Sequence, residues 1–146
     1  MDEIQLLWAY YEDQRDNALK FDQQRTSVTG FSFLSAGALF AILANKGFGE
    51  YSAIVSIFLI LLGIFGILAT RELHERAEFN FSRARVALSK IEQKIGKSIF
   101  EEVKEEAKIE HQGTYRMAMR IRLHFLWMIP NIFITILGLA SLLKSI

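Results

Sequence analysis

The chain has 146 residues, 51% of them hydrophobic and 23% charged, with 17 Lys and Arg against 16 Asp and Glu and no cysteine. A formal net charge of +1 excludes the concentrated basic face that nucleic-acid affinity needs. Without cysteine there is no disulfide framework, no thiolate zinc site and no cysteine nucleophile. The charges stand outside three apolar blocks, so a single domain over 1–146 is expected, part membrane-embedded and part in water.

Those blocks are 26–45, 51–70 and 125–143, each about 20 residues long, enough to cross ~30 Å of hydrocarbon. They are read as three transmembrane spans. The acidic start, Met1-Asp2-Glu3, leads into an aromatic segment, and no cleavable signal peptide is expected. Before the first span, Ile4, Leu7, Tyr11, Gln14, Ala18, Phe21 and Arg25 recur at alternating spacings of three and four, the seam of a coiled-coil-like helix. Nothing interrupts it, so one rod from about Asp2 to Asn45 is expected. The segment Asn45-Lys46-Gly47-Phe48-Gly49-Glu50 is a tight turn with two glycines free to take positive φ, which makes the first two spans an antiparallel hairpin.

The second rod leaves the membrane after Thr70 and continues through Leu73, Ala77, Phe81, Ala84, Leu88, Ile91 and Ile95, at the same spacing, to Gly96. Ser98 followed by Glu101 has the form of a capping box and starts a third rod, whose inward stripe is Phe100, Val103, Ala107, Glu110 or His111, Thr114, Met117 and Ile121. At ~1.5 Å per residue the three arms reach similar heights of ~33 to 38 Å above their spans. The expected fold is therefore all-α: a polytopic membrane protein of three long helices, each continuing from a span into a cytoplasmic three-helix bundle built from 2–25 and 71–124. The cations Arg15, Lys20, Arg25, Arg71, Arg76, Arg83, Arg85, Arg116, Arg120 and Arg122 sit on the arm side, against Lys46 and Lys144 on the other. That asymmetry puts the N-terminus in the cytoplasm and the C-terminus outside.

Motifs for chemistry are largely absent. Gly96-Lys97-Ser98 lacks the upstream Gly of a phosphate loop, since Ile91 stands there, and His74-Glu75 has no second His at the zinc-protease spacing. Glu101, Glu102, Glu105 and Glu106 alternate with Lys104 and Lys108 at ion-pairing distance on a helix surface. No Ser, His and Asp grouping has assignable roles, so a non-enzyme without cofactor or metal is expected.

Four groups of residues carry the functional expectations. Thr29 and Ser32 in the first span, and Asn131, Thr135 and Gly138 on one face of the third after Pro130, form a helix-packing face or a face that lines a pore made by several subunits. Gln14 or Arg15, Asn80 or Arg83, and Glu110 or His111 fall in one layer of the arms; they point to water, form a buried polar layer that fixes register or subunit number with an Arg15 and Glu110 pair at its centre, or make a ligand or trigger pocket. Trp8, Tyr10 and Tyr11 at the distal tip close the core or dock a cytoplasmic partner. Arg71, Arg116, Arg120 and Arg122 meet the anionic lipid head groups. No ionisable residue falls inside a span, against a proton-coupled transporter.

A charged aromatic helix, Trp8-Ala9-Tyr10-Tyr11 through Gln14-Arg15 to Arg25-Thr26-Ser27-Val28-Thr29-Gly30, runs straight into a short-turn membrane hairpin and out through Arg71-Glu72-Leu73-His74-Glu75-Arg76. Over about residues 2 to 95 this architecture resembles small bacterial membrane effectors of the SLATT type, associated with nucleotide-signalling and other antiphage systems. The third span lies outside their two-span pattern. The resemblance implies a protein of the bacterial inner membrane that assembles as a homo-oligomer when an upstream sensor fires and then permeabilises or depolarises the bilayer. The alternative is a membrane anchor or scaffold whose cytoplasmic bundle recruits a soluble partner.

Overall fold

The computed structural model describes residues 2–47, 49, 51–96, 98–114 and 123–145. Among these the chain is all helix: α1 Glu3–Lys46, α2 Ser52–Ile95, α3 Ile99–Thr114 and α4 Leu123–Ser145. Three of the four, α1, α2 and α4, contain stretches long and apolar enough to cross a membrane. The first two expected rods are each a single helix of 44 residues. The third is described as α3 and α4, and residues 115–122 between them lie outside the described residues.

Glycine sets the two helix stops. Gly47 (φ 72°) and Gly96 (φ 70°) take the left-handed conformation, which lets their amides bond back to the carbonyls of Leu43 and Glu92, both at 2.9 Å. The start of α3 differs from the expected capping box. The Glu92 carboxylate of α2 accepts the amides of Phe100 (2.7 Å) and Glu101 (3.1 Å), while Ser98 Oγ donates to Glu102. A carboxylate already held on the neighbouring helix is a stronger acceptor for helix-start amides than a hydroxyl.

Two units divide the chain, one of residues 1–21 and 75–122, the other of 22–74 and 123–146. The first, charge-rich unit pairs the arms of α1 and α2 along the expected seam. Gln14, Ala18, Ala77, Ala84, Ala87 and Ile91 are buried there, with Ile4, Leu7, Tyr11, Phe81 and Leu88 half-buried. Alanines on both helices let the backbones approach closely, so the two arms bury one another. The stripe of α3 lies on the surface instead: Phe100 is half-buried, but Val103 is 58% exposed and Ala107 is exposed.

The second unit holds the spans and is built for a lipid solvent. Its outside is Phe31, Phe33, Leu34, Phe58, Leu61, Phe65, Phe133 and Ile136, all exposed. Its inside is small or polar: Thr29, Ser32, Ala36, Ser52, Ser56, Thr70, Asn131 and Ser141. Between hydrocarbon-bathed helices there is no water to expel, so close packing of small residues provides the attraction. An apolar cluster of Ala36, Leu43, Leu59 and Ile134, flanked by Leu39, Phe40, Val55 and Leu62, occupies the middle.

Candidate functional site

Helices α2 and α4 pack antiparallel at constant register through the span unit. Ser52 Oγ donates to Ser145 Oγ at 2.7 Å. Gly138 lies against Leu59 and Ile60, Gly63 against Thr135, and Gly66 against the Asn131 side chain. A methyl group on Gly63 would sit 2.8 Å from both the Asn131 carbonyl oxygen and the Thr135 amide nitrogen. The two backbones therefore touch at this level, and only glycine fits.

On the other contact, α1 meets α2 at Arg25 and His74. Arg25 is 6% exposed, and its guanidinium has three partners: Asp22 Oδ1 at 2.9 Å, His74 Nδ1 at 3.3 Å, and the Trp127 ring of α4 at 5.3 Å. Because arginine only donates, Nδ1 of His74 is the acceptor in this pair. The remaining polar atom, Nε, is buried and unpartnered.

One turn further into the spans stands a set of polar atoms with the same property. Thr29 follows Arg25 by one turn on α1, Thr70 precedes His74 by one turn on α2, and Asn131 follows Trp127 by one turn on α4; Ser32 is the next inward position of α1. Thr29 Oγ1, Ser32 Oγ, Thr70 Oγ1 and Asn131 Oδ1 are all buried without a hydrogen-bond partner. Asn131 Nδ2 reaches the Trp127 carbonyl only at the long limit of 3.5 Å. Hydroxyls elsewhere on these helices behave differently: Thr26, Ser27, Ser56, Thr135 and Ser145 each donate to the carbonyl four residues back. The site is thus a layer to which three helices contribute unsatisfied polar groups, capped by a buried arginine.

Of the packing-face residues, Thr29, Ser32 and Asn131 come together in this layer, and Thr135 and Gly138 lie along the α2–α4 contact. All five face the interior of a single chain. In the arms, Gln14 occupies the inward position, with Nε2 donating to Asp13 at 2.9 Å and Oε1 unpartnered, whereas Arg15 is exposed. Asn80 is half-buried and donates to the Arg76 carbonyl at 2.8 Å. The Glu110 side chain lies outside the described residues. At the tip, Trp8 stacks on Tyr11 at 5.4 Å and donates to Glu12 at 3.0 Å. Trp8 and Tyr10 are exposed and Tyr11 is half-buried. Arg71 lies on an exposed face of α2 beside Thr70, while Arg116, Arg120 and Arg122 lie outside the described residues.

Sequence reasoning passed over Arg25 and Thr70 as site residues. The signal was present for both: Arg25 closes the α1 seam one turn before Thr29, and Thr70 is the last uncharged residue before Arg71. Among the described residues no three of His, Asp and Glu gather into a set able to hold a metal ion. Comparison with known proteins returns no match to a family model, to a curated protein or to a solved structure.

Proposed function

We propose that this membrane protein is an oligomerising effector that permeabilises or depolarises the bilayer without catalysing a reaction. The unpartnered layer of Thr29, Ser32, Thr70 and Asn131 is the observation that supports it. Each such atom costs about 1–3 kcal/mol, and lipid offers no donor or acceptor to relieve it. Entry of water between the helices would satisfy all four at once, so the span unit carries a standing bias toward a wetted state. In keeping with the excess of arm-side cations, the arms and N-terminus are assigned to the cytoplasm, the C-terminus to the outside, and the protein to a bacterial inner membrane. The SLATT-type resemblance adds a role in antiphage defence, downstream of a sensor.

The test is induced expression in bacteria, read by membrane potential and growth. The comparison is a Thr29→Val, Thr70→Val variant, which removes two unpartnered hydroxyls at nearly constant shape. Depolarisation by the original chain, lost in a variant that inserts at equal level and unfolds no more easily, is the expected result. Equal depolarisation by both would refute the role of the layer.

A second reading, the anchor or scaffold, is favoured by the exposed apolar side chains Leu6, Tyr10, Phe79 and Val86 in the charge-rich unit. It predicts harmless expression and a soluble protein retained at the membrane through that surface.

A further inference from the structure

The α1–α2 seam of the charge-rich unit has two flanks, and among the described residues α3 contributes a side chain to only one of them. On the first flank Phe100 of α3 shares the wall of a groove with Ile4, Trp8, Ile91 and Ile95, and Glu92 holds the α3 amides there. On the second flank Leu7, Tyr10, Phe79, Val86 and Ala87 line a groove of about 320 Å³. Phe79 is 58% exposed and Val86 55%. The charged residues of its wall are Arg83, whose guanidinium lies 4.4 Å from the centre of the Phe79 ring, and Lys90. No carboxylate lines it.

The chemistry that fits this groove is an apolar stripe bordered by carboxylates, and α3 carries one. Ile99, Val103 and Ala107 recur every four residues and are exposed, and Glu102 and Glu106 follow the same spacing along the edge of that stripe. Over Ile99–Thr114 five glutamates stand against two lysines. The same chain's α3 starts on the first flank, so it does not supply this contact. Groove-to-groove pairing of two copies would set Arg83 and Lys90 against themselves.

We propose that the second flank of the arms is the binding site for α3 of a second copy of this chain, with Val103 and Ala107 against Phe79 and Val86, and Glu102 and Glu106 toward Arg83 and Lys90. The proposal rests on the self-association in the functional reading above and names the surface that performs it. The contact is head-to-tail: each copy gives an α3 and accepts another. Contacts of this kind close into a ring when the rotation between copies closes, and extend as an open chain when it does not.

The absence of native cysteine makes site-directed oxidation in membranes a clean test. One differently tagged chain carries Val86→Cys and the other Val103→Cys. A mixed disulfide dimer on co-expression, with no dimer from either chain alone, and a ladder of higher species from the doubly substituted chain are expected. Arg83→Glu with Lys90→Glu lowers the crosslinked fraction by roughly tenfold or more. Glu102→Lys with Glu106→Lys on the partner chain restores it. Dimers from the Val86→Cys chain alone would overturn the proposal in favour of a two-fold groove contact. A soluble protein that copurifies and shields that thiol from labelling would overturn it in favour of the scaffold. Oligomers that persist on sizing without the mixed crosslink would overturn it while leaving self-association intact. Monomers in native membranes would remove both.

Discussion

Gly63 and Gly30 sit in membrane spans of the same chain, and one methyl group added to each should move stability in opposite directions. At Gly63 the new Cβ would stand 2.8 Å from two backbone atoms of α4, the Asn131 carbonyl oxygen and the Thr135 amide nitrogen. Backbone cannot rotate away as a side chain can, so α2 and α4 must separate by several tenths of an ångström. Overpacking of this kind costs about 1–3 kcal/mol, against a helix-propensity gain of at most about 1 kcal/mol for Gly→Ala. At Gly30 nothing lies within 4 Å of the added atom, so only the propensity gain remains. Gly63→Ala is expected to destabilise by about 1–2 kcal/mol while Gly30→Ala is neutral or stabilising by up to ~1 kcal/mol. Reversible unfolding in mixed micelles, titrated with a denaturing detergent, measures both. Equal shifts of the same sign would refute the close α2–α4 contact on which the placement of Asn131 depends.

Two further outcomes follow from single side chains. Glu92→Ala removes the acceptor of the Phe100 and Glu101 amides; a loss of about 1–2 kcal/mol at the helix start should speed hydrogen exchange at 99–105 by roughly tenfold, and unchanged protection would show that α3 is held some other way. Arg25→Lys cannot reproduce a fork that reaches Asp22, His74 and Trp127 together, so it should cost about 1–2 kcal/mol despite keeping the charge. Thermal unfolding of the detergent-solubilised chain checks this, and stability equal to the original would mean that only the positive charge matters there.

The long helices were legible because their signals are one-dimensional. A three-and-four spacing from Ile4 to Arg25 specifies one face of α1, and every one of those seam residues is buried or half-buried. A glycine at 47 and another at 96 specify where a helix stops. What covers a face is a separate question, and the stripe Ile99, Val103 and Ala107 illustrates it: the spacing shows an apolar side, but alanines at 18, 77, 84 and 87 had already closed the two-helix seam. The polar layer of the arms shows the limit of counting heights. Height along a helix is set by ~1.5 Å per residue, but direction turns by about 100° with each step, so Gln14 points inward and its neighbour Arg15 does not. Arg25 was obscured for a different reason. Its spacing put it on the inward seam, but its partners His74 and Trp127 come from α2 and α4, and no spacing along α1 shows them.

The distribution of satisfied and unsatisfied hydroxyls gives the span unit a direction. At the hairpin end Ser52, Ser56 and Ser145 all have partners: Ser52 meets Gly49 and Ser145, Ser56 donates to Ser52, and Ser145 to Ser141. The middle is the apolar cluster around Leu59 and Ile134. Among the described residues of the unit, every buried side-chain polar atom without a partner lies at the other end, within two turns of Arg25. That end is also where α1 and α2 leave the spans and run on into the arms, whereas a short turn ties them together at the hairpin end. Within the span unit, separation of the helices should therefore begin at the Arg25 end, where water relieves four buried groups. The apolar cluster is then the last barrier to a continuous wet path. On the effector reading this makes Leu59 and Ile134 the gate, with the bias that opens it at the Arg25 end of the same unit.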